Sequence, residues 1–341
     1  MPVVWPVNEA TFVDIGQAQA FLASYYAARI APVELVGEGA WSRCFGFHYG
    51  DKDLVIRFGS YVDDFQKDQL AFRHAAPGLP IPEVLDIGPA FDGFYAISTR
   101  AHGIPLESLN AAQWRGTVPS VVSAMEAMRT ADLSATAGLG GWGSDGNAFH
   151  SRWSRYLLSV AEDSLDRRTY GWRKRLATHP QGDAAFARGY DLLQTVAIDA
   201  VPRSLGHSDL LNRNVLVDGD RISGIFDWGC SLYGDHLYDL AWFEFWAPWH
   251  PELDVPFLRS HLEQRWREVG YVAHNLEARL LACHLHIGLD HLGYNAYRAD
   301  WEAVSATAER MQAVSQILKQ NDRTATHQAA ERNQTGVFRM G

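Results

Sequence analysis

The chain predicts an α+β fold of two lobes, a small antiparallel-sheet lobe followed by a larger, mainly helical one. Short apolar runs separated by Gly-rich and Asp-Gly turns fill residues 30–101, the pattern of a strand meander. From residue 102 to about 320 the apolar residues recur mostly at helical spacing, broken by one hairpin signal at Asp218-Gly219-Asp220. With 341 residues, 47% of them hydrophobic, the chain can bury a core in each lobe. The expected divisions are 1–101 and 102–320, followed by a polar tail, 321–341.

An amphipathic helix is expected over Ile15–Ala28. Leu35 to Phe47 then reads as strand, glycine turn, strand. Gly39 permits close backbone approach to a phosphate and Ser42 adds a hydroxyl donor, although an ordinary hairpin turn has the same pattern. Leu54-Val55-Ile56-Arg57-Phe58 is an apolar strand carrying one cation, and the helical stretch Asp64–Ala75 after it bears Lys67 and Asp68. Pro80 and Pro82 stop that helix, and Val84–Gly88 and Phe94–Ser98 form a second hairpin about Asp92-Gly93. Thr99-Arg100-Ala101-His102-Gly103 is the natural hinge. In the second lobe a helix is expected near Val118–Ala131, then a glycine-rich connection, Gly138–Gly143, which lacks the Lys of a phosphate-binding loop.

The chemistry concentrates in His207-Ser208-Asp209-Leu210-Leu211-Asn212-Arg213-Asn214 and in Asp227-Trp228-Gly229. Val215–Val217 and Ile222–Phe226 are strand-like runs about the Asp-Gly turn, so folding the hairpin brings Asn214 and Asp227 together at its open end. A carboxylate and an amide oxygen suit Mg2+, which takes its remaining ligands from water and nucleotide phosphates. Asp209, in the loop entering the first strand, is placed to accept a hydrogen bond from an attacking hydroxyl, the task of a kinase catalytic Asp. The plain alternative is a buried Asp and Asn satisfying loop amides. His207 is expected to support the loop rather than to react.

The spacing resembles the protein-kinase set, H-R-D through a magnesium-binding Asn to D-F-G, with Ser208 for the Arg and Trp228 for the Phe. Those changes point to the aminoglycoside phosphotransferase family, whose usual pattern is H-G-D-x-x-x-x-N followed by I-D-W, close to Ile225-Phe226-Asp227-Trp228. The resemblance implies a protein-kinase-like fold and ATP as phosphate donor, with GTP an open alternative. It implies Arg57 in place of the nucleotide-binding Lys, paired with Asp68, with Lys67 as the second candidate cation. It also implies that Thr99 and Ala101 meet the adenine edge through their backbones. Gly234-Asp235-His236-Leu237-Tyr238-Asp239-Leu240-Ala241 continues it; Asp235 is expected to accept backbone hydrogen bonds from the catalytic loop and Asp239 to sit at a helix start.

Trp242, Trp246 and Trp249 follow at helical spacing, either as core or as a wall against sugar rings. Glu244 projects from another face, and Asp290, in Ile287-Gly288-Leu289-Asp290, is the remote candidate for an ammonium group. These patches resemble the hygromycin B branch of the family, and so imply a resistance enzyme. Arg213 and Leu211 depart from the usual His-Pro-Gly of the loop, and Glu244 stands where an apolar residue is usual.

Forty acidic against thirty basic residues give a net charge of −10, which argues against nucleic acid and suits a polycationic aminoglycoside substrate. No apolar run of membrane-spanning length and no leader pattern are seen, and Cys44, Cys230 and Cys283 form neither a metal nor a disulfide pattern, so a cytoplasmic enzyme is expected. Two other classes stay open, a kinase for a metabolite of the choline, homoserine or fructosamine type and a non-catalytic pseudokinase. Retention of Asp209, Asn214 and Asp227 speaks against the second.

Overall fold

A computed structural model describes residues 13–39 and 41–316. The expected tail, 321–341, lies outside them. The chain divides into two compact units, the first made of 1–149, 204–233 and 252–265, the second of 150–203, 234–251 and 266–341. The sheet of the first unit ends at Thr99, and the segments carrying the hairpin motif belong with it.

That sheet has five antiparallel strands in the order β1, β2, β3, β5, β4. They are β1 (Val33–Glu38), β2 (Ser42–Tyr49), β3 (Lys52–Gly59), β4 (Val84–Ala90) and β5 (Gly93–Thr99). Along β3, Leu54, Ile56 and Phe58 are buried in strict alternation, and each such side chain removed from water contributes about 1.5–3 kcal/mol. Helix α1 (Ile15–Tyr25) covers this face with Ala18 and Leu22. It starts in a capping box, the Asp14 carboxylate accepting from the Gln17 N–H, and stops three residues before the expected end because Ala27 turns to φ 49°. Helix α2 (Val62–Ala71) passes into a short 3-10 turn, Phe72–His74.

Two expectations for the region after the hinge change. Helix α3 runs Ala111–Arg129, seven residues longer at its start, because Asn110 and Gln113 form a capping box ahead of Pro119. Leu139–Trp142 within the glycine-rich connection is a strand, β7, paired antiparallel with Leu232 and Tyr233; the Trp142 ring stacks on Tyr233 at 5.5 Å.

The hairpin forms as expected. β10 (Val215–Asp218) pairs with β11 (Arg221–Ile225) about a turn in which Gly219 has φ 63°. The register shifts by one residue between Leu216 and Val217, leaving Ser223 as a bulge whose hydroxyl donates to the His102 carbonyl. β6 (Ile104–Pro105) adds a third strand through Leu216↔Pro105 and Val217↔Ile104.

The second unit is mainly helical, built on α7 (Leu237–Trp246), α9 (Leu276–Tyr297), α6 (Pro180–Val196) and a helical run at 301–316. Its helices pack closely: a Cβ on Gly288 would come within 2.6 Å of Met311. Among the described residues no helix is long and apolar enough to cross a membrane.

Candidate active site

His207 fixes the loop. Its fully buried ring contacts the Phe226 carbonyl through Nε2 at 3.1 Å and accepts the Asp209 N–H at Nδ1 at 3.2 Å, an arrangement only the neutral Nε2–H tautomer satisfies. Burial lowers the pKa of this imidazole to about 4, so it stays neutral at pH 7 and acts as a strut. Ser208, at φ 61°, donates its hydroxyl to the Cys230 carbonyl at 2.6 Å. Both bonds tie the loop to the Asp-Trp-Gly segment.

Asp209 is held by two amides. Asn212 Nδ2 donates to its Oδ1 at 2.7 Å, and Asn214 Nδ2 donates to its Oδ2 at 3.0 Å and to its main-chain carbonyl at 2.9 Å. Burial nevertheless raises its carboxyl to about 7, with Asp227 and Glu107 adding to the rise against the two Asn bonds. A carboxylate poised near neutrality suits proton acceptance from a hydroxyl.

At the open end of the hairpin the Phe226 N–H, next to Asp227, donates to the Asn214 carbonyl at 3.0 Å. Asn214 commits its amide nitrogen to Asp209, which leaves Oδ1 as its free ligand atom. Asp227 adopts φ 64°, with about half of its side chain exposed. One amide oxygen and one accessible carboxylate fit a hard divalent cation that takes further ligands from phosphate. Among the described residues, no group of three or more His, Cys, Asp or Glu is placed to hold a metal.

Arg57 reaches this cluster from β3. Its guanidinium pairs with Asp68, lies 3.6 Å from Asp227 Oδ1, and sits 4.6 Å over the Phe65 ring. Burial pulls its pKa down, but Asp68 and Asp227 outweigh this and hold it charged. Burial pushes the Asp68 carboxyl up against the pull of Arg57, and its Oδ1 also accepts the Trp228 N–H at 2.7 Å. Gly39, Ser42, Arg57, Asp64 and Asp227 line one small pocket with Trp41 and Tyr61. The Gly39 N–H closes the turn on the Ser42 carbonyl at 2.9 Å. At the hinge, Thr99 ends β5 and its hydroxyl accepts the Glu83 N–H at 2.9 Å. Ala101 packs on β11, where a Cβ on Gly224 would come within 2.5 Å of its methyl.

Several contacts differ from expectation or were not foreseen. Lys67, the second candidate cation, places Nζ 2.6 Å from the Gly229 carbonyl, and buried backbone partners leave no mark in a sequence. Asn212 is readable in hindsight, an amide three residues beyond a catalytic-type Asp. Glu107 touches the loop from 106 residues away, and nothing in the sequence signals it. Asp235, expected to serve the catalytic loop, accepts the Leu237 N–H at 3.0 Å and forms a buried two-bond pair with Arg279 at 2.5 and 2.7 Å. Asp239 lies in the first turn of α7.

In the second unit, Trp246 contacts Trp242, Trp249 and His291 at centroid distances of 5.9, 5.2 and 4.7 Å. The indole N–H groups of Trp242 and Trp246 are buried without a hydrogen-bond partner among the described residues. Asp290, beside His291, is exposed, and Glu244 lies 3.0 Å from His284. Trp246 and Trp249 thus share one aromatic cluster with Trp242 and His291.

Residues 34–272 match the model of the APH phosphotransferase enzyme family. The chain is 35% identical over 260 residues to hygromycin-B 4-O-kinase of Escherichia coli, across 75% of this chain and 72% of that one. A thermostable mutant of aminoglycoside phosphotransferase APH(4)-Ia, in ternary complex with AMP-PNP and hygromycin B, superimposes with a TM-score of 0.74 at 32% identity. That match covers 87% of this chain and 97% of the other. Spectinomycin phosphotransferase APH(9)-Ia, in complex with ADP and spectinomycin, shares the fold alone, with a TM-score of 0.55 and 14% identity over 88% and 98% of the two chains. Sequence motif, hairpin geometry and relatives converge, and the chain belongs to the APH phosphotransferase enzyme family, with its kinase-like fold.

Proposed function

We propose that this chain is a magnesium- and ATP-dependent O-phosphotransferase that modifies a hydroxyl of hygromycin B, conferring resistance, and that it works in the cytoplasm. The observation that carries the reading is the grip of Asn212 and Asn214 on both oxygens of Asp209, with the Asn214 carbonyl bonded to the Phe226 N–H next to Asp227. Similarity to the hygromycin-B 4-O-kinase, and to a structure holding hygromycin B and a nucleotide analogue, supports the donor and acceptor. Cysteines outside any disulfide and a net charge of −10 are in keeping with a reducing compartment and a polycationic acceptor.

In this reading Asp209 aligns the acceptor hydroxyl and takes its proton as transfer proceeds. Arg57, held charged between Asp68 and Asp227, neutralises phosphate oxygens, and the Gly39–Ser42 turn lays backbone and hydroxyl donors along them. Thr99 and Ala101 meet the adenine edge. Asn214 Oδ1 and Asp227 would hold magnesium, which would supply neutralisation of phosphate charge. Trp246 and Trp249 wall the acceptor and Asp290 receives one of its ammonium groups. Glu244 is a further residue on the acceptor side, its carboxylate 3.0 Å from His284 Nε2.

The test is turnover of magnesium-ATP against a panel of aminoglycosides that includes hygromycin B, together with choline, homoserine and a fructosamine. Asp209→Ala and Asp227→Ala are each expected to lower kcat by roughly hundredfold to ten-thousandfold with an unchanged circular dichroism spectrum, and EDTA to abolish turnover reversibly. Near-normal turnover in either variant would sink the site assignment, and turnover of a metabolite alone would sink the acceptor.

A further inference from the structure

We propose that Glu107 is a positioning residue for the catalytic loop: its carboxylate clamps the backbone of Arg213 and so holds the turn whose two asparagines grip Asp209. This rests on the reading of Asp209 given above. It adds a residue that the motifs do not contain, and it gives Arg213 a place in the mechanism.

The pairing of β6 with β10 sets the short 3-10 helix Leu106–Ser108 beside the loop, and from it Glu107 Oε1 accepts the Arg213 N–H at 2.5 Å. Residues Leu211 to Asn214 form a tight turn, closed by the Asn214 N–H on the Leu211 carbonyl at 3.3 Å. Its central residues, Asn212 and Arg213, have φ values of 60° and 66°. Positive φ at both central positions is the type I′ pattern, which favours Asn followed by Gly. Asn212 suits the first position. Arg213 does not suit the second, because its Cβ crowds the backbone in the left-handed region. Some outside interaction must hold the turn in this form, and a bond from a carboxylate to the N–H of the strained residue is a strong one. The second oxygen of Glu107 is buried and has no hydrogen-bond partner among the described residues.

The turn matters because of what its side chains hold. Were residues 212 and 213 to relax toward negative φ, Asn212 would leave Asp209 Oδ1 and Asn214 would leave Oδ2. Asp209 would then be free to rotate away from the acceptor hydroxyl. A rotation of this kind costs transition-state alignment rather than nucleotide binding, so kcat should fall without KM for ATP.

Four variants separate this clamp from a role in charge or bulk stability. Glu107→Gln keeps an oxygen for the Arg213 N–H, and kcat is expected within about threefold of wild type. Glu107→Asp keeps the charge but loses the reach, and Glu107→Ala loses both. Each is expected to lower kcat by about tenfold to hundredfold, with KM for ATP within about twofold. Placing Arg213→Gly in the Glu107→Ala protein supplies a residue that takes positive φ without strain, and kcat should recover to within about fivefold of wild type. Hydrogen exchange of the peptide spanning 209–216, read without substrate, should quicken in Glu107→Ala and stay at the wild-type rate in Glu107→Gln.

Wild-type kcat in Glu107→Asp, or a loss that Arg213→Gly does not recover, overturns the proposal, as does unchanged exchange in Glu107→Ala. If Glu107→Ala fails to fold, Glu107→Asp and Glu107→Gln decide by the same measures. The exchange measurement needs no acceptor. A wild type inactive toward hygromycin B would therefore sink the substrate reading and leave the clamp still open to disproof.

Discussion

Lys67 and Asp68 are neighbours on α2 that meet one short segment with opposite demands. Asp68 takes the Trp228 N–H at the head of the 3-10 turn Trp228–Cys230, while Lys67 gives Nζ to the Gly229 and Ser231 carbonyls at 2.6 and 3.4 Å. The segment that carries Asp227 is thus held from both ends by one helix, and Lys67 also stands 4.8 Å over the Trp142 ring. Lys67→Met keeps the buried stem but removes every donor, and should lower stability by about 1–3 kcal/mol, read as a lower urea midpoint. An unchanged midpoint would mean that the carbonyls find other donors and that Lys67 is dispensable. The Arg57–Asp68 pair was legible because both charges lie on elements whose pairing the motif implies. The Lys67 contacts were not, since carbonyls at positions 229 and 231 are the same whatever residues carry them.

Elements were legible where the signal was local. The hairpin about Gly219 follows from an Asp-Gly turn between apolar runs, and it alone brings Asn214 to the Asp227 segment. Strand β7 was not legible: Leu139-Gly140-Gly141-Trp142 has no β-branched residue, and it becomes a strand only by pairing with Leu232 and Tyr233 about ninety positions later. The start of α3 carried a readable signal, the Asn110 and Gln113 capping box, eight residues ahead of the expected first residue Val118. Helix α9 supplies an element-scale prediction. His286 is buried on it, its Nδ1 2.8 Å from the Tyr238 hydroxyl and its ring 4.8 Å from Tyr156. Burial lowers the pKa of this imidazole from its ordinary 6.5 to about 4, with Asp290 opposing the fall. A histidine depressed on folding binds its proton more readily in the unfolded chain, so the native state loses stability as pH falls from 6.5 toward 4. At pH 5 this loss is about 2 kcal/mol. His286→Gln should therefore lose less stability than wild type between pH 7 and pH 5 in matched urea titrations, and parallel losses would show that His286 titrates normally in the fold.

At the scale of the whole molecule the proposed function divides its residues between the two units. Arg57, Asp68, Asp209, Asn214 and Asp227 all belong to the first, and Trp246, Trp249 and Asp290 to the second. Substitutions in the second unit should then alter acceptor constants and spare nucleotide constants. The cluster of Trp242, Trp246, Trp249 and His291 has two buried indole N–H groups without acceptors among the described residues, a cost that a hydroxyl-rich ligand would relieve and a purely structural core would not. Trp246→Ala and Asp290→Asn are accordingly expected to raise KM for hygromycin B by about fivefold to fiftyfold, with KM for ATP within about twofold. The charge of the whole chain adds a second signature. At −10 it attracts a polycation over distances that salt screens, so kcat/KM for hygromycin B should fall as ionic strength rises, and the fall should be shallower in Asp290→Asn, which removes one attracting charge. The bland reading of the aromatic stripe predicts a different pattern. A core Trp246 would lower Tm on truncation and leave the acceptor KM and its salt slope where they were, and that outcome would return the cluster to the interior and move the acceptor site elsewhere.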